Sequence, residues 1–319
     1  MSKTIDSNSN TFAKRKSAVV PRLIAIFCIA AAAAAVLFAV MHIKERRRAL
    51  SGSAGVLQKA WKSYDYGAVC EISRTILDEK PFNNTALTYY GYACFYLAVS
   101  QTDTALSQDY LEKSINALRL ALHHARKSLV PQLEYMLGKA YFYKNTVTSY
   151  YYADLAVLYL NRAKEHGYKA PDISEYLGLS YAALGMTMES ISAFTEALLE
   201  RESDSLLLSI AEQYCKAGQL SAAKQYLFRI KSGCLDEELV LKSMNLLGTI
   251  YITDGDYEAA RQEFESILKK NQNSADAYYG LGVIYEMQGD LVKARAEWRK
   301  AIRVQMNHAG ALAKISDYK

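Results

Sequence analysis

The chain lacks the short signatures that carry chemistry. Its 16 glycines stand singly, and no glycine-rich phosphate loop is formed from them. No His-Glu-x-x-His, no Cys/His cluster at metal spacing and no Gly-x-Ser-x-Gly elbow occurs. His123 and His124 are adjacent, so on a helix they point ~100° apart and cannot share an ion; His42, His166 and His308 are isolated. Cys28, Cys70, Cys94, Cys215 and Cys234 make no Cys-x-x-Cys pair. They are expected as small apolar side chains buried on helices, a usage that leans toward a reducing compartment, with Cys234 in a polar stretch the one that could be exposed. These absences predict a chain without catalysis, cofactor or small-molecule substrate.

A general basic face is missing too. The formal charge is +5, but residues 1–48 hold nine basic and two acidic side chains, so the remainder carries two more acidic than basic ones. A nucleic-acid partner is not expected from such a balance. Glu189, Glu196, Glu200 and Glu202 gather around one helical segment. Carboxylates do acid–base work only in a cleft that raises one pKa, and on an amphipathic helix they form a wet face. A repeat-built enzyme using the acidic residues near Glu196 stays as an alternative, as does an accessory subunit of a membrane-associated enzyme or envelope assembly complex.

What the chain does have is a period. Gly248, Tyr251, Gly255, Ala260 and Phe264 are followed, each 34 residues later, by Gly282, Tyr285, Gly289, Ala294 and Trp298. Tyr278, Leu281, Gly282 and Tyr285 share one helix face, Gly289-Asp290 punctuates, and Leu291, Ala294, Trp298, Ala301 and Ile302 share the face of a second helix. Such a hairpin cannot bury its apolar side alone and must stack on the next copy.

This pattern resembles the tetratricopeptide repeat. Tyr278-x2-Leu281-Gly282-x2-Tyr285 with Ala294-x3-Trp298 follows the family's aromatic-x2-Leu-Gly-x2-Tyr and Ala-x3-Phe, as do Met244-x2-Leu247-Gly248-x2-Tyr251 and Ala260-x3-Phe264. Leu177-Gly178-x2-Tyr181 with Ser190-x3-Phe194, and Leu137-Gly138-x2-Tyr141, extend it upstream. The resemblance implies an all-α, right-handed superhelical solenoid of helix hairpins. Its array is expected over 55–308, in units 50–80, 84–127, 131–168, 171–203, 204–237, 241–274 and 275–308, with a closing helix at 309–319.

Gly138 and Gly178 lie 40 residues apart, so the unit at 131–168 carries an insertion of about six residues by this register. The inserted Lys144–Tyr152 contains Tyr150, Tyr151 and Tyr152. Two readings stand: an aromatic patch for a partner, or extra rings filling a layer where the register slips.

Residues Leu23 to Ile43 run uncharged between basic clusters. A helix of that length spans ~31 Å, close to the ~30 Å hydrocarbon core. The expectation is a disordered tail at 1–17, one transmembrane helix at 18–43 and a connector at 44–54, giving a single-pass membrane protein whose orientation the balanced flanking charges leave open. A cleaved signal peptide and a lipoprotein site at Cys28 are the competing readings.

The resemblance also implies a concave groove lined by the first helix of each hairpin. Its slots fall here on Tyr135, Lys139, Phe142 and Tyr143, then Glu175 and Leu179, Leu208 and Glu212, Asn245 and Thr249, and Tyr279, Val283 and Glu286. Rings with scattered polar groups suit an extended peptide or a helix. Family members that grip a terminal carboxylate place Lys and Asn in slots held here by Leu208 with Glu212 and Asn245 with Thr249, so that clamp is not implied. The functional expectation is a membrane-anchored scaffold that binds protein partners.

Overall fold

A computed structural model describes residues 33–41 and 54–318. Every regular element among them is helical. The chain divides into two compact units, Met1–Asn83 and Asn84–Lys319.

In the first unit, α1 covers residues 33–41, and α2 (Ala54–Lys62) packs on α3 (Tyr66–Glu79). Their turn places Tyr64 at φ 57. Its N–H donates to the carbonyl of Trp61 (3.0 Å), and that of Asp65 donates to Ala60 (3.1 Å). This is the paired hydrogen bonding of a helix C-terminus that normally needs glycine. Asp65 then starts α3, its carboxylate accepting from the Ala68 N–H at 2.9 Å.

The expected membrane helix and single-pass location are corrected here. Among the described residues no helix is long and apolar enough to cross a membrane. Of the apolar run, residues 33–41 are described, and they are helical. The rest of the Leu23–Ile43 run, Cys28, the 1–17 tail and most of the 44–54 connector lie outside the described residues.

The second unit is a row of helix hairpins. α4 (Asn84–Val99) pairs with α5 (Thr104–His123), α6 (Val130–Val147) with α7 (Ala153–Glu165), and α8 (Ile173–Ala183) with α9 (Thr187–Glu200). α10 (Asp204–Lys216) pairs with α11 (Leu220–Gly233), α12 (Glu237–Thr253) with α13 (Tyr257–Lys270), and α14 (Ala275–Met287) with α15 (Leu291–Val304). Each second helix packs on the first helix of the following hairpin, and α16 (Ala309–Asp317) closes the row against α15. Stacking therefore follows sequence order.

Three residue columns make this possible. Gly91, Gly138, Gly178, Ala211, Gly248 and Gly282 occupy one slot of the first helices, all buried. Ser114, Ala156, Ser190, Ala223, Ala260 and Ala294 fill the small slot of the second helices, and Leu118, Leu160, Phe194, Leu227, Phe264 and Trp298 follow four residues on. Each large side chain lies over the first-helix slot of its own hairpin. A Cβ added at Gly248 would stand 2.6 Å from Phe264 Cζ. The α10–α11 hairpin solves the same packing with a larger small residue and a smaller large one, Ala211 with Leu227, both fully buried in one cluster. Two serines in the small slot satisfy their hydroxyls on the opposing helix: Ser114 Oγ donates to the Gly91 carbonyl (2.7 Å) and Ser190 Oγ to that of Gly178 (2.8 Å).

The turns repeat as well. Gly185, Gly218, Gly255 and Gly289 take φ between 71 and 81. Asp256 and Asp290 then cap α13 and α15 by accepting from Ala259 and Lys293 N–H, each at 3.0 Å. The insertion Lys144–Tyr152 starts as helix, to Val147, and continues as loop. α6 continues nine residues past Gly138, where α8, α10, α12 and α14 each run five past their own slot residue.

Candidate functional site

First helices also touch one another, α4 on α6, α6 on α8, α10 on α12 and α12 on α14, so their outward sides form a face along the row. Its densest chemistry lies where α4, α6 and α8 meet. Tyr135 is buried on α6 and donates its hydroxyl to Asp172 Oδ1 at 2.6 Å. Lys139, one turn on, donates to Asp172 Oδ2 (3.0 Å) and to the Tyr135 hydroxyl (3.1 Å). Its ammonium lies 4.8 Å from the Tyr176 ring centroid, 5.2 Å from Tyr135 and 5.9 Å from Phe95. The Lys139 side chain is 16% exposed, so the pair with Asp172 is far less screened than a surface ion pair.

Aromatic rings extend this cluster. Phe142 meets Tyr176 edge-on at 5.0 Å, and Tyr143 meets Phe95 edge-on at 5.5 Å. The Tyr143 and Tyr176 hydroxyls are 3.2 Å apart. Burial pushes the Tyr135 phenol well up from its ordinary value, and its hydrogen bond to Asp172 adds to the shift. Tyr176 is raised by burial and then by its bond to Tyr143. These phenols stay protonated at neutral pH and serve as donors.

Tyr135, Lys139, Phe142 and Tyr143, four of the slots expected to line a groove, lie in one cluster on α6. Further along, Glu175 faces Arg201 at 3.3 Å, and Leu179 packs against the α9–α10 core. Glu212 and Thr249 are exposed, while Asn245 and Val283 are half-buried. The Thr249 hydroxyl donates to the Asn245 carbonyl at 3.0 Å within its own helix.

Four slots are closed by the chain itself, among them Tyr135, buried and bonded to Asp172. Leu208 is 7% exposed and belongs to the core with Leu207 and Ala211, so it presents no side chain to a partner. Tyr279 and Glu286 are covered by the chain's own closing helix. His308, whose Nδ1 caps α16 by accepting from Ala311 N–H (3.1 Å), lies 5.1 Å from the Tyr279 ring. Glu286 accepts from Lys314 (2.8 Å) and from the Tyr318 hydroxyl (2.6 Å). α16 begins 34 residues after α14 and takes the place a further first helix would occupy.

Sequence reasoning missed Asp172, Tyr176 and Phe95. The available signal was a lone carboxylate next to Pro171 at the start of α8, but no local pattern connects it to a lysine 33 residues earlier. Of the inserted tyrosines, Tyr152 stacks on Tyr141 at 6.1 Å, whereas Tyr150 and Tyr151 are 75% and 85% exposed.

The acidic group on and just after α9 does not converge. Glu189, Glu196, Glu200 and Glu202 are all exposed. Glu196 accepts from Lys164 at 2.6 Å, and Glu202 pairs with Arg229 on another helix. Glu196 and Glu200 border an open recess of about 460 Å³ beside the α7–α8 turn, shared with Lys164 and Lys169. These pairs tie hairpin to hairpin, as does Lys231 with Glu263 at 2.6 Å.

Comparison with known proteins follows the same lines. The family described as tetratricopeptide repeat matches residues 245–306. No curated protein matches the sequence. Among solved structures, a tetratricopeptide repeat protein from Parabacteroides merdae is 16% identical, covering 70% of this chain and 87% of that one with a TM-score of 0.55. The C-terminal part of a TPR repeat-containing protein from Cytophaga hutchinsonii is 13% identical, covering 82% and 98% with a TM-score of 0.55. YrrB, described as a TPR protein with an unusual peptide-binding site, is 21% identical over 63% of this chain and 99% of its own, with a TM-score of 0.48.

The stacked hairpins and these fold likenesses define an α-helical repeat protein. Within that fold, residues 245–306 in the last two hairpins match the tetratricopeptide repeat family.

Proposed function

We propose that this chain is a non-catalytic scaffold that holds a protein or peptide partner along the face made by its first helices. The observation that carries this reading is the order of that face: Phe142, Tyr143, Glu175 and Leu179 lie on α6 and α8, and Glu212, Asn245 and Thr249 on α10 and α12, first helices that touch within each of these two groups. Rigid rings give large contact area at low entropy cost, and the interspersed polar groups set the register of a bound segment. The partner's reach ends before α14, where α16 already occupies Tyr279 and Glu286.

A photo-crosslinking residue tests this reading when placed at Thr249 in the full-length chain and, as a control, at the exposed Gln225 on α11. A defined protein adduct is expected from the first position and not the second. Equal adducts from both, or turnover of a small substrate that survives replacement of Phe142 and Tyr143 by alanine, would refute it.

A further inference from the structure

The last second helix, α15, carries Lys293, Arg295, Arg299, Lys300 and Arg303 against a single acidic residue, Glu297. Two of these cations are engaged: Lys293 with Asp290 at 2.9 Å and Lys300 with Glu297 at 2.6 Å. Arg295, Arg299 and Arg303 are exposed, and no ion pair or hydrogen bond holds them among the described residues. They recur every four residues, ~6 Å apart along one helix face. Like charges at that spacing repel one another.

The repeat register does not require them. The slot of Arg299 is filled by Glu265 on α13, Phe228 on α11 and Thr195 on α9. The stripe also has an apolar margin. Val292 is 82% exposed, Ala296 is exposed, and a shallow depression of about 610 Å³ lies against Ala296, Ile302 and the arginine stems. A second recess of about 330 Å³ at its far end brings Lys300 and Arg303 beside Gln272, Asn273 and Tyr278.

We propose that the outward face of α15 is a second docking surface, separate from the first-helix face, for an acidic helical segment of a protein partner. Carboxylates at i, i+4 and i+8 of a helix repeat at the same ~6 Å, so three of them meet the three guanidinium forks in register. Small apolar side chains of that helix cover Val292 and Ala296. A phosphodiester backbone makes no use of that apolar margin, and the chain beyond residue 48 has more acidic than basic side chains, which opposes nucleic acid.

The test uses the full-length chain and a labelled alanine-rich helical peptide with glutamates four residues apart, read by fluorescence anisotropy. Wild type binds it, and binding weakens as salt rises. The triple variant Arg295→Glu, Arg299→Glu, Arg303→Glu loses at least about tenfold in affinity. It gains affinity for the matching lysine peptide while keeping the wild-type circular dichroism and melting curve. Equal binding by wild type and variant, or no binding by wild type, overturns the proposal. So does tighter competition by a single-stranded RNA of equal charge. Salt-dependent self-association lost in the triple variant also overturns it, assigning the stripe to a second copy of the chain.

Discussion

Replacing Gly248 by alanine and Phe264 by leucine, singly and together, probes the packing rule on which the whole row rests. An added Cβ at Gly248 would lie 2.6 Å from Phe264 Cζ and 2.8 Å from Cε1. Ordinary carbon contacts are ~3.5–4.0 Å, so the overlap is about 1 Å. The ring cannot retreat, because Gly280 of the next hairpin presses on its other side and would clash with the same ring atoms if it bore a Cβ. Overpacking of this kind costs ~1–3 kcal/mol, offset by the ~1 kcal/mol that alanine gains over glycine inside a helix. Gly248→Ala should therefore destabilise by up to about 2 kcal/mol. Phe264→Leu should cost a similar order by leaving a void. Combined, they reproduce the Ala211–Leu227 arrangement already present in α10–α11, so the double variant should be milder than the sum by about 1–2 kcal/mol. Urea unfolding combined with hydrogen exchange of the α12 and α13 amides is the suitable assay, since stacked repeats need not unfold together. Strict additivity would refute the idea that slot and ring are sized to each other.

Ala260 is fully buried between helices, and Ala260→Arg should cost at least ~1–3 kcal/mol in thermal melts of the intact chain, a neutral result counting against the assigned register. Tyr64 holds a left-handed turn with a side chain that is 77% exposed. Tyr64→Gly should thus stabilise α2–α3 by ~0.5–1 kcal/mol, the relieved strain exceeding the added freedom of the unfolded chain, as urea titration would register. Asp290 is held below its ordinary value of 3.8 by the Lys293 backbone N–H and then by the Lys293 side chain. Its contribution to α15 is present above pH 3.8 and is lost as pH falls through the lower folded value, so a carboxyl-carbon NMR titration with a midpoint at or above 3.8 would contradict the cap. Removing residues 309–319 should uncover Trp298, which is fully buried and stacked on Tyr318 at 5.9 Å. In a Trp61→Phe background, acrylamide quenching should rise severalfold, to about that of an exposed indole.

Much of the architecture was legible because it is local. Glycine at the slot, a small residue 12 positions on and a large one four further recur in α8–α9, α12–α13 and α14–α15. Those spacings alone dictate a hairpin that buries one side. The first two hairpins of the second unit hide the same columns behind 23- and 18-residue spacings, since α4 and α6 run past the usual length. The site was legible only in part. Slot arithmetic named Tyr135, Lys139, Phe142 and Tyr143, which lie in one cluster on α6, but it could not foresee that Leu208 turns into the core. Nor could it foresee that α16 folds back over Tyr279 and Glu286. The apolar run Leu23–Ile43 led to the expectation of a membrane-spanning helix, which no helix among the described residues meets.

By itself, then, the order of residues determined that second-unit helices come in pairs and that glycine, small and large side chains recur at fixed steps between them. Those properties depend on neighbours within about 34 positions, and a repeating pattern encodes them directly. Only the tertiary structure decided which surface positions remain available and what they meet. Lys139 finds Asp172 and the rings of Phe95 and Tyr176 across helix boundaries, Glu286 is taken by Lys314 and Tyr318, and three arginines on α15 are left without partners among the described residues. Exposure and pairing are set by how closely successive hairpins approach, a property of the assembled row that no single repeat contains.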